Sequence, residues 1–313
     1  MTALPRVSVV IPCFNAERYI ASTLRAVQAQ SGAQLEIIVV DDGSTDSSAA
    51  LIERDFPEVR LLRRANAGVA AARNAGIAAA TAEWVAFCDA DDIWLQGKLA
   101  AQFAAMDKAP GCRMSYTAWE VWFSDAAEPE SALLQRLATE DSGPKWSGAT
   151  GWLYPELLLD CVVWTSTVLM QRSLLNEIGD FDTSLRIGED YDLWLRASRV
   201  TRIERVARPL ALYRQHPASI TRSAPRDNYR GRVVQRALDT WGLVGPDGRV
   251  ADVAAVRAEL ASSWSQFAYV QLQAGQRHAA RSSVREALRV QPGHWPGWKL
   301  LLRSCLPGMG RNA

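Results

Sequence analysis

Phe87-Cys88-Asp89-Ala90-Asp91-Asp92 sets three carboxylates within four residues, directly after an apolar run that reads as a buried strand. Carboxylates this close repel one another and lose solvation unless a hard cation or a donor-rich ligand sits among them. Mg²⁺ or Mn²⁺, bound by one or two carboxylates and the phosphates of a substrate, suits such a cluster. The other reading of the spacing alone is a helix N-cap in a solvated acidic loop. Asp41-Asp42 and Glu189-Asp190-Tyr191-Asp192 are two further acidic clusters, and the second opens a helical pattern whose dipole by itself favours acids. His216, one of three histidines in the chain, offers a neutral imidazole of the kind divalent ions bind, although a lone His before Pro is also an ordinary loop residue.

The elements that must position these groups follow from hydrophobic pattern. Residues 7–11 (VSVVI) and 35–40 (LEIIVV) are continuous, β-branched apolar runs, the pattern of parallel strands buried on both faces. Between them Ile20, Leu24 and Val27 recur at helical spacing, so residues 17–30 predict an amphipathic helix and the three segments a βαβ unit. A turn cluster at 41–46 precedes a helix over 47–54, whose start its Ser and Asp residues can cap. A strand at 59–62, an Ala-rich helix at 68–80 and a strand at 83–88 complete an α/β doubly wound pattern. In such sheets ligands bind at the carboxyl ends of the strands, and three of the four ends here carry polar or acidic loops. From about Met114 the pattern loosens into a stretch containing Trp119, Trp122, Trp146, Trp152 and Trp164; a helix over 191–199 follows the last acidic cluster.

Around 223–227 the composition shifts to that of a linker. Beyond it, residues 231–313 carry 11 basic and 5 acidic residues, a net charge of +6 against −5 for the first 230. Helices are expected at 229–240, 253–274, 276–290 and 298–305, partly like a tetratricopeptide pair but without a second copy at a period of about 34 residues. Arg277, Arg281, Arg285 and Arg289 recur every fourth residue. That stripe is either a solvated face or, with Trp295, Trp298 and Leu300 to Leu302, a surface for anionic phospholipid or a lipid-diphosphate acceptor.

The whole chain of 313 residues is balanced at a net charge of +1, which speaks against a nucleic-acid partner. Five scattered cysteines show no zinc or disulfide spacing and point to reduced thiols in the cytoplasm. No apolar run reaches the length of a spanning helix, so any membrane contact is expected to be peripheral.

VSVVIPCFNAERYI, IIVVDDGSTDSS, NAGVAAARNAGI, WVAFCDADD and GEDYDLWLR together resemble the ordered motifs of glycosyltransferase family 2. The resemblance covers about residues 6–222, two-thirds of the chain. It implies a GT-A fold, a Rossmann-like, mostly parallel sheet flanked by helices, over 1–225, with a C-terminal helical module over 226–313. It further implies an inverting, metal-dependent enzyme of bacterial cell-surface glycan assembly, which transfers a sugar from a nucleoside diphosphate, a UDP-sugar above all, to a glycan or lipid-linked acceptor hydroxyl.

By the same resemblance Pro12, Phe14, Glu17 and Asp42 surround the nucleotide, and Arg73 and Asn74 line its pocket. Asp89 and Asp91 match the D-x-D motif, Asp91 as ligand of Mn²⁺ or Mg²⁺ and Asp89 as ligand or as contact to ribose or donor sugar; Asp92 could serve in place of either. Asp190 is the general base and Glu189 orients it or the acceptor, while Asp192 is structural. Arg214 and His216 approach the diphosphate and metal. Trp164 and Thr165, with Ser166, fall where acceptor loops lie, an indole face suiting the apolar face of a sugar.

The resemblance places the protein in the cytoplasm, at the inner face of the cytoplasmic membrane where the basic module contacts it. Two other readings compete: a non-catalytic nucleotide-sugar or glycan binding protein on the same fold, and a sugar-nucleotidyltransferase. The second requires a glycine-rich phosphate loop after the first strand, and Pro12-Cys13-Phe14-Asn15-Ala16 contains no glycine.

Overall fold

The computed structural model describes residues 3–123, 148–217 and 226–305. Trp146 and residues 223–225 of the expected linker lie outside the described residues. The chain divides into two compact units, Met1–Pro217 and Ala218–Ala313.

The first unit opens with β1 (Arg6–Cys13), α1 (Ile20–Gln28), β2 (Gln34–Asp41), α2 (Ser48–Asp55), β3 (Arg60–Arg63), α3 (Val69–Ala79) and β4 (Trp84–Phe87). β1 pairs in parallel with β2 and β4, and β2 with β3. The apolar runs of β1 and β2 are explained by burial on both faces: Val9, Val10, Ile11, Ile38, Val39 and Val40 are all inaccessible to solvent. α1 turns Ile20, Leu24 and Val27 into the same core. α3 lies so close to β1 that a Cβ on Gly76 would stand 2.3 Å from Val10 Cγ1.

Beyond β4 the simple alternation ends. The chain continues through β5 (Ile93–Trp94), α4 (Lys98–Met106), β6 (Met114–Phe123), α5 (Tyr154–Leu157), a 3₁₀ turn (Thr165–Thr167), β7 (Leu169–Gln171), α6 (Arg172–Ile178), α7 (Glu189–Ala197) and β8 (Ile203–Gln215). The sheet order among the described residues is β3-β2-β1-β4-β7-β6-β8-β5. β7 is antiparallel to β4 and β6, β5 is antiparallel to β8, and β6 runs parallel to β8.

Those reversals decide what meets at the carboxyl end of β4. With Ala86 opposite Leu169, the turn that leads into β7 arrives beside Asp89. With Ile93 opposite Leu212, the residues before β5 lie alongside those after Leu212, and Asp91 comes to face His216. The stretch from Met114, loose in its sequence pattern, is the ten-residue strand β6; its first five residues are buried on both faces, so no alternation marks it. Pro209 sits opposite Ala118 at an irregularity of the β6–β8 register, where the ladder is already broken.

The second unit contains α8 (Tyr229–Trp241), α9 (Val253–Gln273), α10 (Arg277–Val290) and α11 (Trp295–Cys305). Asn228 caps α8 by accepting from the Gly231 N–H and also accepts the Ser263 hydroxyl, tying α8 to α9. Ala261, Ala268, Ala280 and Ala287 are fully buried, small residues that let helices approach closely. The arginine repeat on α10 is not the uniform face its spacing suggests. Arg281 donates to the Ser304 carbonyl at 2.7 Å, where the end of α11 attracts a cation, and Arg289 pairs with Glu286 at 2.9 Å. All five cysteines are free thiols, three of them buried. Among the described residues no helix is long and apolar enough to cross a membrane.

The α3–β1 approach predicts that Gly76→Ala lowers stability by about 1–3 kcal/mol through overpacking, despite the better helix propensity of Ala. Denaturant midpoints measure this, and Val10→Ala in the same chain is expected to restore part of the loss.

Candidate active site

The loops after β1 and β2 are laced together. Asn15, at φ +50°, donates its N–H to Ser44 Oγ and accepts from the Thr45 N–H; Ala16 N–H donates to Ser48 Oγ. The Glu17 carboxylate accepts the Ser47 N–H at 2.9 Å, while its own N–H donates to Asp46. Asp46 in turn accepts from the Ser48 N–H at the start of α2, whereas Ser47 at the N-cap position makes no side-chain capping bond. Pro12 is buried in β1, whereas Phe14 stands at the rim 52% exposed. Asp42 is buried and accepts from the Ala67 and Gly68 N–H groups at the start of α3, with Arg64 Nε at 3.2 Å. Its carboxylate therefore anchors α3 to the end of β2.

α3 supplies the residue that joins the acidic clusters. The Arg73 guanidinium, 4% exposed, donates to Asp89 Oδ1 at 2.7 Å and to Glu189 Oε1 at 2.6 Å. The two carboxylates hold Arg73 charged against the cost of burial. Burial and the charge of Asp190 push Glu189 up to about 7, against the pull of Arg73. Asn74, expected at the nucleotide, instead has its side-chain amide paired both ways with the Phe181 backbone. The structure thus uses it to fasten α3 to the segment before α7.

α7 begins after Gly188, at φ +87°, with Glu189 buried and Asp190 half-exposed. Asp190 Oδ1 accepts the N–H of Tyr191, and Oδ2 accepts the Thr165 hydroxyl at 2.8 Å. Thr165 thus meets the acid expected to be the base. Its neighbour Ser166 accepts the Asp89 N–H and donates to Asp92. Asp192 pairs with Arg196 one turn on, a structural contact.

Asp91 and Asp92 have separate surroundings. Asp91 Oδ2 lies 3.0 Å from His216 Nε2, and the imidazole stacks on Tyr19 with centroids 4.5 Å apart. Burial, then the Asp89 charge, raises the Asp91 carboxyl, partly offset by His216. Asp92 is enclosed: it accepts from Trp164 Nε1, Ser166 Oγ and the Arg214 N–H, and burial followed by the charges of Asp91 and Asp89 holds its carboxyl far above the usual range. It is a buried strut, which corrects the expectation that it could replace Asp89 or Asp91. Arg214 is also buried, donating from Nε to the Asp91 carbonyl and lying against Trp122 and Tyr19. Trp164, pinned by Asp92, packs at 4.1 Å on Tyr213 and at 6.4 Å on Trp119, ring centre to ring centre.

Among the described residues no three His, Cys, Asp or Glu side chains form a ready-made metal cage. Asp91 and His216 are a hard-oxygen and imidazole pair, a donor set that fits an ion completing its shell with water and phosphate.

The residues missed in sequence lie in the support of the 165–167 turn. Gln102 Nε2 donates to the carbonyls of Thr167 and Ser115, and its Oε1 accepts from Lys98 Nζ at 2.9 Å. Lys98 is fully buried with its ammonium 4.0 Å from the Trp94 ring centre, and Trp94 donates to the Ser166 carbonyl. Only the i, i+4 spacing of Lys98 and Gln102 was visible in sequence, and it carries no sign of a partner elsewhere.

The mixed, mostly parallel sheet flanked by helices, with acidic loops at the ends of β2 and β4 and an acidic helix start brought to the same edge, is GT-A-like. Residues 8–134 match the profile described as glycosyl transferase family 2. The chain is 30% identical over 191 residues, 60% of its own length and 68% of the relative's, to the UDP-Glc:alpha-D-GlcNAc-diphosphoundecaprenol beta-1,3-glucosyltransferase WfgD of Escherichia coli. It is 30% identical over 233 residues to the uncharacterized glycosyltransferase alr2836 of Nostoc sp. (strain PCC 7120), covering 70% of this chain and 67% of that one. Among solved structures, S. aureus TarS 1–349 in complex with UDP-GlcNAc superposes with a TM-score of 0.66 at 17% identity, over 96% of this chain and 89% of that one. The protein belongs to glycosyltransferase family 2 and is a glycosyltransferase.

Burial pushes the Lys98 ammonium down to about 7, whereas an unfolded lysine titrates near about 10.4. Between those values the unfolded chain binds more protons, so this lysine adds stability as pH rises from about 7 towards 10. The neighbouring Cys88 thiol stays neutral throughout, raised by burial and by Asp92. Denaturant midpoints from about pH 7 to 9.5 are expected to rise more steeply in wild type than in Lys98→Met; parallel curves contradict the assignment.

Proposed function

We propose that this glycosyltransferase moves a hexose from a UDP-sugar, with inversion, to a hydroxyl of a lipid-linked or polymeric glycan. The observation that carries the reading is the Asp89–Arg73–Glu189 bridge, which ties the loop after β4 to the start of α7, so that the donor-side acids and Asp190 share one site. The donor nucleotide is the kind bound in the TarS complex and named for WfgD, and the lipid-linked acceptor is the kind named for WfgD.

Phe14, exposed at the rim beside the Glu17 and Asp42 loops, offers a ring face to the nucleotide base. Asp91 and His216, with Asp89 beside them, would hold a Mn²⁺ or Mg²⁺ ion, whose chemistry there is neutralisation of charge on the departing diphosphate. Asp190 Oδ2 takes the proton of the acceptor hydroxyl. The acceptor oxygen forms its bond to the anomeric carbon as the bond from that carbon to the phosphate oxygen breaks, and the electron pair leaves with UDP. The Thr165 hydroxyl and the Tyr191 N–H fix the carboxylate plane for that transfer. Glu189, through Arg73, positions the base relative to the donor acids. Trp164 and Tyr213, packed on each other and half-buried, are the aromatic side chains for the apolar part of an acceptor sugar.

Isothermal titration of UDP and GDP, with and without Mn²⁺, tests the donor site. UDP is expected to bind in a metal-dependent manner and Asp91→Ala to lose that binding; no binding of either nucleotide under any condition rejects the reading. Asp190→Asn is expected to keep UDP binding while transfer falls by about 10²- to 10⁴-fold, the usual contribution of a general base.

A further inference from the structure

The last described helix of the second unit carries large apolar residues on its outer face. Its two fully buried positions in α11 are small, Gly297 and Ser304, with Leu300 and Leu301 half-buried, and a Cβ on Gly297 would lie 3.1 Å from Leu288 Cδ2. Its outward positions are large and apolar: Trp295, Trp298 and Leu302 are 63%, 44% and 66% exposed. Spaced at i, i+3 and i+7, these three share one face, and exposed Lys299 and Arg303 fall beside them at i+4 and i+8. Single exposed apolar residues are common, but two indoles and a leucine aligned on one turn-spaced face are not explained by packing within the unit.

Charge and chemistry point to one occupant. Glu286 is the last acid of the chain, and beyond it stand Arg289, Lys299, Arg303 and Arg311. Arg277 and Arg285 of α10 are also exposed. The Trp298 indole is held by its N–H to the Pro292 carbonyl, and the Lys299 ammonium lies 5.6 Å from the Trp295 ring centre. A helix with tryptophans and leucine on its outer face, flanked by cations and without acids, matches the boundary between headgroups and acyl chains of an anionic bilayer.

We propose that α11 docks this protein on an anionic phospholipid surface, with Trp295, Trp298 and Leu302 in the interfacial layer and Lys299 and Arg303 at the headgroups. The lipid surface, rather than the α10 arginine repeat alone, is thus read by α11. The inference accords with a lipid-linked acceptor but does not rest on it, since vesicle binding and UDP binding are measured separately.

The test uses the full chain in co-sedimentation with vesicles of phosphatidylcholine alone and of phosphatidylcholine with phosphatidylglycerol, at low and high salt. Wild type is expected to bind the anionic vesicles, less so at high salt, and to leave the neutral ones largely free. Trp295→Ser/Trp298→Ser/Leu302→Ser is expected to lose at least about tenfold in affinity, and Lys299→Gln/Arg303→Gln to lose the preference for anionic lipid, both with UDP binding intact. The proposal is overturned by no binding of wild type to anionic vesicles, by equal binding of the triple variant, or by a concentration-dependent dimer in sedimentation that the triple variant abolishes. Binding seen only after removal of residues 306–313 would give the face to the chain's own terminus and equally overturn it.

Discussion

A guanidinium buried between two carboxylates holds the catalytic unit together. Arg73 comes from α3, Asp89 from the end of β4 and Glu189 from the first turn of α7, separated in sequence by 16 and 116 residues. Arg73 and Glu189 are buried, and a buried charge with its partner removed is strongly destabilising. Beside the bridge, Asp190, Asp91 and Asp92 crowd the same edge, with buried Arg214 held by the Asp91 carbonyl and by Asp92. Burial first, and the charges of their neighbours second, raise Glu189, Asp91 and Asp92, and carboxylates so crowded make the site attractive to a cation.

The 3₁₀ turn Thr165–Thr167 is the crosspiece of this arrangement. Thr165 reaches Asp190, Ser166 reaches both Asp89 and Asp92, and the backbone of the turn is gripped by Trp94 and Gln102. Side chains that must aim hydroxyls at carboxylates cannot also be mobile, so the polar network behind the turn, Lys98 included, is spent on rigidity. Trp164 belongs to the same device, since the Asp92 bond that fixes its indole also fixes the ring that faces Tyr213.

The second unit reverses the usual placement of side chains in its last helix. α10 and α11 approach through Gly297, Ser304 and the Arg281 contact, which needs small residues at those positions, while Trp295, Trp298 and Leu302 stand outside. Close packing against α10 and an apolar outer face are therefore two results of one choice of residues.

Much of the fold and of the site was legible in order along the chain. The β-branched runs of β1 and β2, buried on both faces, announce a parallel sheet, and the strand-end position of Asp41, Asp42, Asp89 and Asp91 follows from strand period alone. Glu189 and Asp190 were marked by their place before a helical repeat. The strand β6 escaped because double burial removes alternation, and β5 and β7 because strands of two and three residues carry no period at all.

What only the tertiary structure decided is what surrounds each acid. Asp91 and Asp92 are neighbours of one type, yet the antiparallel pairings of β5 and β7 set His216 against the first and Trp164, Ser166 and the Arg214 N–H against the second. Linear sequence encodes residue type and period, whereas the environment of a carboxylate is set by donors that the fold brings from more than 70 residues away.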